Sequence, residues 1–325
     1  MTATKEAQQK WGQITYGNGA NASKDSFTGS ANDGKVTIKS ASGKLVPASF
    51  DGVSFYYTAV PASQNFTLRA KVTVDSWTLS NGQEGFGLMA TDKLGGSGWN
   101  NSYMAVASKA EYYWNEETKE VTTDSSATKI SQKIGLLSQE KTGVTKDNIA
   151  AIEANDTATV QANFKSTSYP LEQRYPEAKN IIGNSTNTPA DAGNITEMYL
   201  TIQKNNTGYF VTYESADGSY STTKKYYDTA ALEKIDADSV YVGFFASRNA
   251  TATFSDITFK TIDPKDDAAA EERPVQKVAV NTYVQSAKTT GLEDYTFLFS
   301  ANCDGLLTIN DADGNAVAKD VEVKA

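Results

Sequence analysis

Phe66-Thr67-Leu68-Arg69-Ala70-Lys71-Val72-Thr73-Val74-Asp75 alternates apolar and polar residues without a break. Successive side chains of an extended chain point to opposite faces, so Phe66, Leu68, Ala70, Val72 and Val74 share one side and Thr67, Arg69, Lys71, Thr73 and Asp75 the other. The reading is a strand buried on one face. Similar runs occupy 36–39, 55–60, 85–91, 103–108, 198–204, 208–214, 240–246 and 251–260. Turn formers separate them, among them Asn32-Asp33-Gly34, Asp51-Gly52, Asn81-Gly82, Asn205-Asn206-Thr207-Gly208 and Ala216-Asp217-Gly218. Short strands joined by glycine-bearing turns, with no helices alternating between them, predict an all-β antiparallel sandwich of the jelly-roll kind.

Residues 120–195 break the rhythm, with few aromatics and many Thr, Asn, Asp and Ala. They read as an insertion holding a short helix at 146–154 behind Thr145 as N-cap, flanking strands at 129–137 and 157–164, and a long loop at 169–192. The predicted organisation is a large sandwich domain over 1–262, a linker at 263–274 of charged, Ala-rich, proline-bracketed composition, and a small immunoglobulin-like β unit over 275–325. Short strands at 278–280, 295–299, 305–309, 316–318 and 321–323 are few for such a fold, so that unit reads as incomplete.

The 325 residues carry a formal net charge of -9, which argues against nucleic acid and anionic membranes as partners, because phosphate contacts need clustered Lys and Arg. No apolar run approaches the ~20 residues that span a bilayer, so membrane insertion is not expected. Met1 is followed by polar residues rather than a leader, and a secreted or surface-attached protein would have had its signal removed. Cys303 is the sole cysteine and histidine is absent. Those two facts exclude an internal disulfide, a thiolate zinc cage and any His-dependent triad or metal site.

The stretch Asn81-Gly82-Gln83-Glu84-Gly85-Phe86-Gly87-Leu88-Met89-Ala90-Thr91-Asp92 is the most distinctive. With Phe86, Leu88 and Ala90 turned to the core, Gly85, Gly87 and Met89 leave the opposite face bare, and 240–247 repeats the pattern. A concave face with small residues beside aromatics suits a sugar ring; its alternative use is to take the cover of the 120–195 insertion. Trp99 lies in the polar loop 92–102 and is the expected stacking platform, with pinning of that loop as the other reading. Asp92, Lys93, Arg248 and Asn249 are the expected hydroxyl-binding residues, followed by Gln83, Glu84 and Tyr103. Arg248 is equally suited to a salt bridge with Asp92 or Glu84. Glu111-Tyr112-Tyr113-Trp114-Asn115 reads as a hairpin edge with at least one outward ring, and Trp11 and Trp77 read as core or staple residues.

No metal or cofactor is expected from these motifs. Asn310-Asp311-Ala312-Asp313-Gly314 fails the EF-hand pattern, since Ile309 falls at the first ligand position, and a structural calcium in an acidic loop stays open without a spacing to place it. Glu84, Asp92, Glu111, Glu116 and Glu117 are the carboxylates an enzyme would draw on, but the Glu-x-Asp-x-x-Glu strand motif of jelly-roll glucanases is missing. The expectation is a binding protein, not an enzyme.

Phe55-Tyr56-Tyr57-Thr58, the 66–75 strand, Gly82 to Ala90 and Val242-Gly243-Phe244-Phe245-Ala246-Ser247-Arg248-Asn249-Ala250-Thr251 together resemble a concanavalin-like, laminin-G-like module, over about residues 11–262. Such modules accompany secreted polysaccharide-degrading proteins of gut Firmicutes, pectate lyases and amylolytic proteins among them. The nearest resemblance is to the first domain of starch-adherence proteins of the ruminococcal amylosome. It implies extracellular, non-catalytic binding of an α-glucan such as starch or malto-oligosaccharides, within a larger multi-enzyme assembly. A pectin-binding accessory module of a pectate lyase, a carboxylate-dependent glycosidase or lyase, and a structural spacer are the competing readings.

Overall fold

The structure is a computed structural model that describes residues 9–78, 82–108, 113–115, 120–122, 136–154, 156–172, 195–274, 280–286, 296–301, 304–310 and 313–324. Two units are present, Met1–Glu271 and Glu272–Ala325. In the first, the strands are β1 (Gly12–Gly17), β2 (Ser26–Ser30), β3 (Lys35–Ser40), β4 (Gly52–Pro61), β5 (Asn65–Trp77), β6 (Gly85–Thr91), β7 (Ser102–Ser108), β8 (Tyr113–Asn115), β9 (Glu120–Thr122), β10 (Leu136–Thr142), β11 (Lys165–Pro170), β12 (Glu197–Asn205), β13 (Gly208–Ser215), β14 (Ser221–Tyr226), β15 (Ser239–Ser247) and β16 (Ala250–Ile262). Two short helices, α1 (Ile149–Glu153) and α2 (Thr157–Gln161), stand between β10 and β11.

The first sheet has the order β1-β4-β15-β6-β7-β10-β11 and the second β14-β13-β12-β5-β16-β3-β2, all antiparallel. This is the expected two-sheet jelly roll. The alternation in β5 is why it sits at the centre of its sheet: Leu68, Ala70 and Val72 are fully buried, and Arg69, Lys71 and Thr73 remain partly exposed. Register brings Ala70 opposite Leu200 and Val72 opposite both Met198 and Phe254, so one apolar surface forms from three neighbouring strands. It meets the inner face of the first sheet through ring pairs. Phe244 and Phe254 lie 4.8 Å apart, Trp77 and Phe86 5.5 Å, and Tyr103 and Tyr209 4.8 Å. Buried aromatics of ~150–250 Å² each dominate the apolar stabilisation of such a core.

Within the insertion, Thr145 caps a 3-10 turn at Lys146–Asn148 that leads into α1, as expected. The strand expected at 157–164 is helical instead over Thr157–Gln161, where Asp156 accepts from Thr159 N and caps the turn. A capping carboxylate satisfies a backbone donor that a strand would have placed in a ladder. The strand expected at 129–137 is described only from Leu136 on, within β10, and residues 129–135, Glu111, Tyr112, Glu116, Glu117 and 173–192 lie outside the described residues. Residues 263–271, the first part of the expected linker, are tied to the sandwich. Asn65 donates to Asp267, Asn206 donates to the carbonyls of Pro264 and Ala268, and Lys225 pairs with Glu271.

The second unit shows two hairpins among its described residues: β17 (Val280–Ser286) with β18 (Thr296–Ala301), and β19 (Gly305–Asn310) with β20 (Ala316–Val323). Among the described residues no helix is long and apolar enough to cross a membrane.

Candidate functional site

The outer face of the first sheet, where a sugar ring is expected, is covered across β6, β7 and the adjoining parts of β4 and β15, while Tyr57 and Tyr241 on the same face are half-buried. It presents Phe55, Phe245, Met89, Met104 and Val106, and every one of these side chains is buried. Leu45 shows how the cover seats itself. A methyl group built on Gly85 would stand 2.6 Å from Leu45 Cδ1, so the bare glycine is what admits that side chain. At Gly87 and Gly243 an added methyl group would instead meet the backbone of the neighbouring strand, Ala105 O at 1.9 Å and Tyr56 O at 2.0 Å.

One buried cation holds the cover down. Lys141, projecting from β10, donates to the carbonyls of Val46 and Ser49 at 2.9 Å each and to Asp51 Oδ2 at 2.5 Å, with both charged side chains at most 5% exposed. Burial pulls the Lys141 ammonium below its ordinary pKa, and the Asp51 carboxylate opposes that shift. Three oxygens around one ammonium fasten the 46–51 loop across the sheet.

Trp99 is a correction to the sequence reading. Its ring is 2% exposed and belongs to a small second core with Val144, Ile152, Val160 and Ile235. Phe50 and Phe164 close on it at 5.0 Å each. It pins the 92–102 loop to the insertion and offers sugars no face. Asp92 is also a correction: its carboxylate is buried, accepting from Asn101 N at 2.9 Å and Asn101 Nδ2 at 2.6 Å. Burial pushes its pKa up to about 6 against the lowering effect of the Asn101 hydrogen bonds. Tyr103 is buried between Tyr209 and Tyr226 and donates to Glu140, so it too is removed from any ligand. Lys93 is half-buried and donates to the carbonyl of Gly95.

The remaining candidates stand together at one end of the sandwich. Arg248 and Asn249 form the two-residue connection from β15 to β16, with φ of 44° and 46°. Two successive left-handed residues are the geometry of a tight hairpin turn, which Asn tolerates and Arg does not favour. Arg248 is held there by its backbone donating to Ser42 O at 2.7 Å and its guanidinium donating to Gln83 Oε1 at 3.1 Å. Its Nε lies 3.6 Å from Glu84, the salt bridge that the sequence allowed. Glu84 is wholly buried and turns back to accept from the amides of Gly82 and Gln83, so it is a support for this rim and no ligand for hydroxyls.

Asn249 opens onto a depression of about 380 Å³ between the ends of β3, β5 and β16, lined by Lys39, Ser40, Ala41, Ser76, Thr78, Asn249, Ala250 and Thr251. Composition gives no flag for Lys39, Ser76, Thr78 and Thr251; alternation places Lys39 and Thr251 outward, whereas it places Ser76 inward, and Thr78 lies beyond the end of β5. At the far end of β16, a second open depression of about 520 Å³ is lined by Trp11, Ile257, Phe259, Ala31, Asn32, Gln9 and Thr261. Trp11 is expected as a core or staple residue and packs against the core as a partly buried ring. It stacks on Tyr56 and Phe244 at 5.4 and 5.7 Å and still keeps part of its surface open. Among the described residues no group of three or more acidic or cysteine side chains gathers to hold a metal ion.

Residues 7–264 match the family model described as the pectate disaccharide-lyase N-terminal domain. The full chain is 25% identical over 328 residues to pectate lyase L of Thermoclostridium stercorarium, of which it covers 23%. It is 26% identical over 297 residues to a pectate disaccharide-lyase of Dickeya chrysanthemi, covering 89% of this chain and 35% of that one. The chain thus spans about a quarter to a third of the length of these curated relatives. Among solved structures, the alginate lyase from Klebsiella pneumoniae aligns with 77% of this chain and 94% of its own at TM-score 0.37 and 12% identity. Basic winged bean lectin aligns with 78% and 100% at TM-score 0.36 and 11% identity. These findings correct two expectations. Starch binding gives way, because the matched family and relatives are named for pectate, and the expectation of a binding protein that is not an enzyme gives way, because those relatives are named as lyases.

Proposed function

The chain belongs to the pectate disaccharide-lyase N-terminal domain family over residues 7–264, and from that premise we propose that it works on pectate, as the N-terminal domain of a pectate lyase acting outside the cell. The match across the whole sandwich is the single observation that carries this reading. The part of the work assigned to this domain is to hold the galacturonan chain. A polymer with one carboxylate per sugar is repelled by a protein of net charge -9 wherever the local field follows the average. Binding therefore rests on local cations, and on the open end of the sandwich rather than the covered part of the first sheet's outer face.

The test is affinity electrophoresis of the protein through gels containing polygalacturonate or amylopectin, alongside the absorbance of unsaturated sugar ends released from polygalacturonate. Retardation by polygalacturonate with free migration through amylopectin is expected. Retardation by amylopectin alone refutes the reading.

A further inference from the structure

Several of the cations described in the sandwich are neutralised by carboxylates. Arg69 pairs with Glu214, Lys71 with Glu197, Lys141 with Asp51, Lys204 with Glu233, Lys225 with Glu271 and Arg248 with Glu84. Lys39 is different. It is exposed, has no carboxylate partner among the described residues, and stands in the 380 Å³ depression at the end of β3.

The lining beside it offers neutral hydrogen-bonding groups and itself includes no acid, with Asp25 behind it as the acceptor for Ser40 Oγ and Ala41 N. Ser76, Thr78 and Thr251 contribute hydroxyls and Asn249 an amide, and none of these side chains has a hydrogen-bond partner among the described residues. Three local features deliver them. The left-handed turn at Arg248-Asn249 carries Asn249 to the rim, and its carbonyl accepts from Thr78 N at 3.0 Å, which fixes Thr78 beside it. A register shift between Thr251 and Ala252 bulges β5, so that Asp75 and Ser76 are both exposed and Trp77 turns inward. Bulges of this kind re-aim side chains at sheet ends. Of the two bulged residues, Asp75 is occupied, accepting from Thr253 Oγ1 at 2.6 Å, and Ser76 is free. Finally, Ser40 is tied down to Asp25 and to Ser42 O, which sets the end of β3 and with it Lys39.

One ammonium, three hydroxyls and a carboxamide around a small-molecule-sized hollow match the chemistry of a single sugar acid. We infer that this depression seats one galacturonate unit of the polymer, its carboxylate on Lys39 Nζ and its hydroxyls on Asn249, Thr251, Ser76 and Thr78. The inference rests on the pectate reading and goes beyond it by naming the place and the group that senses charge. A methyl-esterified unit, with no charge for Lys39, is discriminated against at this position.

The experiment compares the wild type with Lys39→Gln, Lys39→Arg, Lys71→Gln and Trp11→Ala, each checked for native circular dichroism. Each is titrated calorimetrically with sodium polygalacturonate and with highly methyl-esterified pectin, in EDTA and at two salt concentrations. Lys39→Gln is expected to weaken polygalacturonate binding by about tenfold, as for loss of a charge-assisted hydrogen bond at an open site. Lys39→Arg and Lys71→Gln should bind as the wild type does, and esterified pectin should bind the wild type and Lys39→Gln equally weakly. A wild type that binds polygalacturonate while Lys39→Gln matches it within about twofold overturns the site and leaves the pectate reading standing. Loss of binding in Trp11→Ala with Lys39→Gln unaffected moves the ligand to the other depression and likewise overturns it. No binding of polygalacturonate by the wild type overturns both.

Discussion

Replacing Lys141 by methionine tests whether the cover on the first sheet's outer face is held down as described. The substitution keeps the length of the side chain and removes the ammonium that Val46 O, Ser49 O and Asp51 Oδ2 share. The Asp51 carboxylate, 5% exposed, then keeps only the Val46 amide as a side-chain partner and remains charged in a dry setting. Breaking a buried pair from one side costs about 3–5 kcal/mol, against about 0–1 kcal/mol for a surface pair. For a unit of this size about 1 kcal/mol corresponds to ~2–4 °C, so the melting temperature should fall by roughly 6–20 °C. Differential scanning calorimetry of the sandwich transition measures the fall, and limited proteolysis should cut the 46–51 loop first. Adding Asp51→Asn to Lys141→Met should recover part of the loss, because the stranded charge is gone. A fall corresponding to less than about 1 kcal/mol would refute the tether and with it the claim that the covered part of the first sheet's outer face is sealed against saccharides.

Trp99→Ala should destabilise the sandwich by about 3–5 kcal/mol in urea denaturation, through the cavity left among Phe50, Phe164 and Ile152. Where the variant is still folded, its retardation by polygalacturonate should equal the wild type's; selective loss of retardation would restore the ring as a platform. Asp92 predicts a pH effect of definite sign. Its folded pKa of about 6 lies above the ordinary aspartate value of 3.8, so its contribution is fully present below about pH 4 and lost as pH rises through about 6. The loss is on the order of 3 kcal/mol. Melting of Asp92→Asn and wild type between pH 4 and 7 measures it, and the argument fails if the two curves keep a constant separation. Highly esterified pectin should compete poorly with polygalacturonate for the wild-type protein, a comparison that affinity electrophoresis reads directly.

The period-two pattern at 66–75 correctly marks the inward face of β5, and the same logic finds β6, β12, β13 and β15, because alternation is a property of a few consecutive residues. It also places Phe86, Leu88 and Ala90 inward and Gly85, Gly87 and Met89 outward. The same pattern does not tell what lies over an outward face. At the candidate site, Arg248 and Asn249 were legible from the strand that they follow, whereas Lys39, Ser76, Thr78 and Thr251 join them only through the pairing of β3, β5 and β16. The helix at 157–161 escaped because Val160 and its neighbours carry no strong period, and the cap from Asp156 decided the turn.

By itself, then, the order of residues determined the sandwich, the identity of its core strands and the exclusion of histidine and disulfide chemistry, since each follows from composition or from neighbours along the chain. Only the tertiary structure decided which polar loops are sealed and which stay open. Trp99 is buried by Phe50, Val144, Ile152, Val160, Phe164 and Ile235, residues that come from distant parts of the chain. Lys39 has no carboxylate partner among the described residues because Asp75, on the far side of β16 from it, accepts from Thr253, and proximity in space, unlike alternation, is not written in any local stretch.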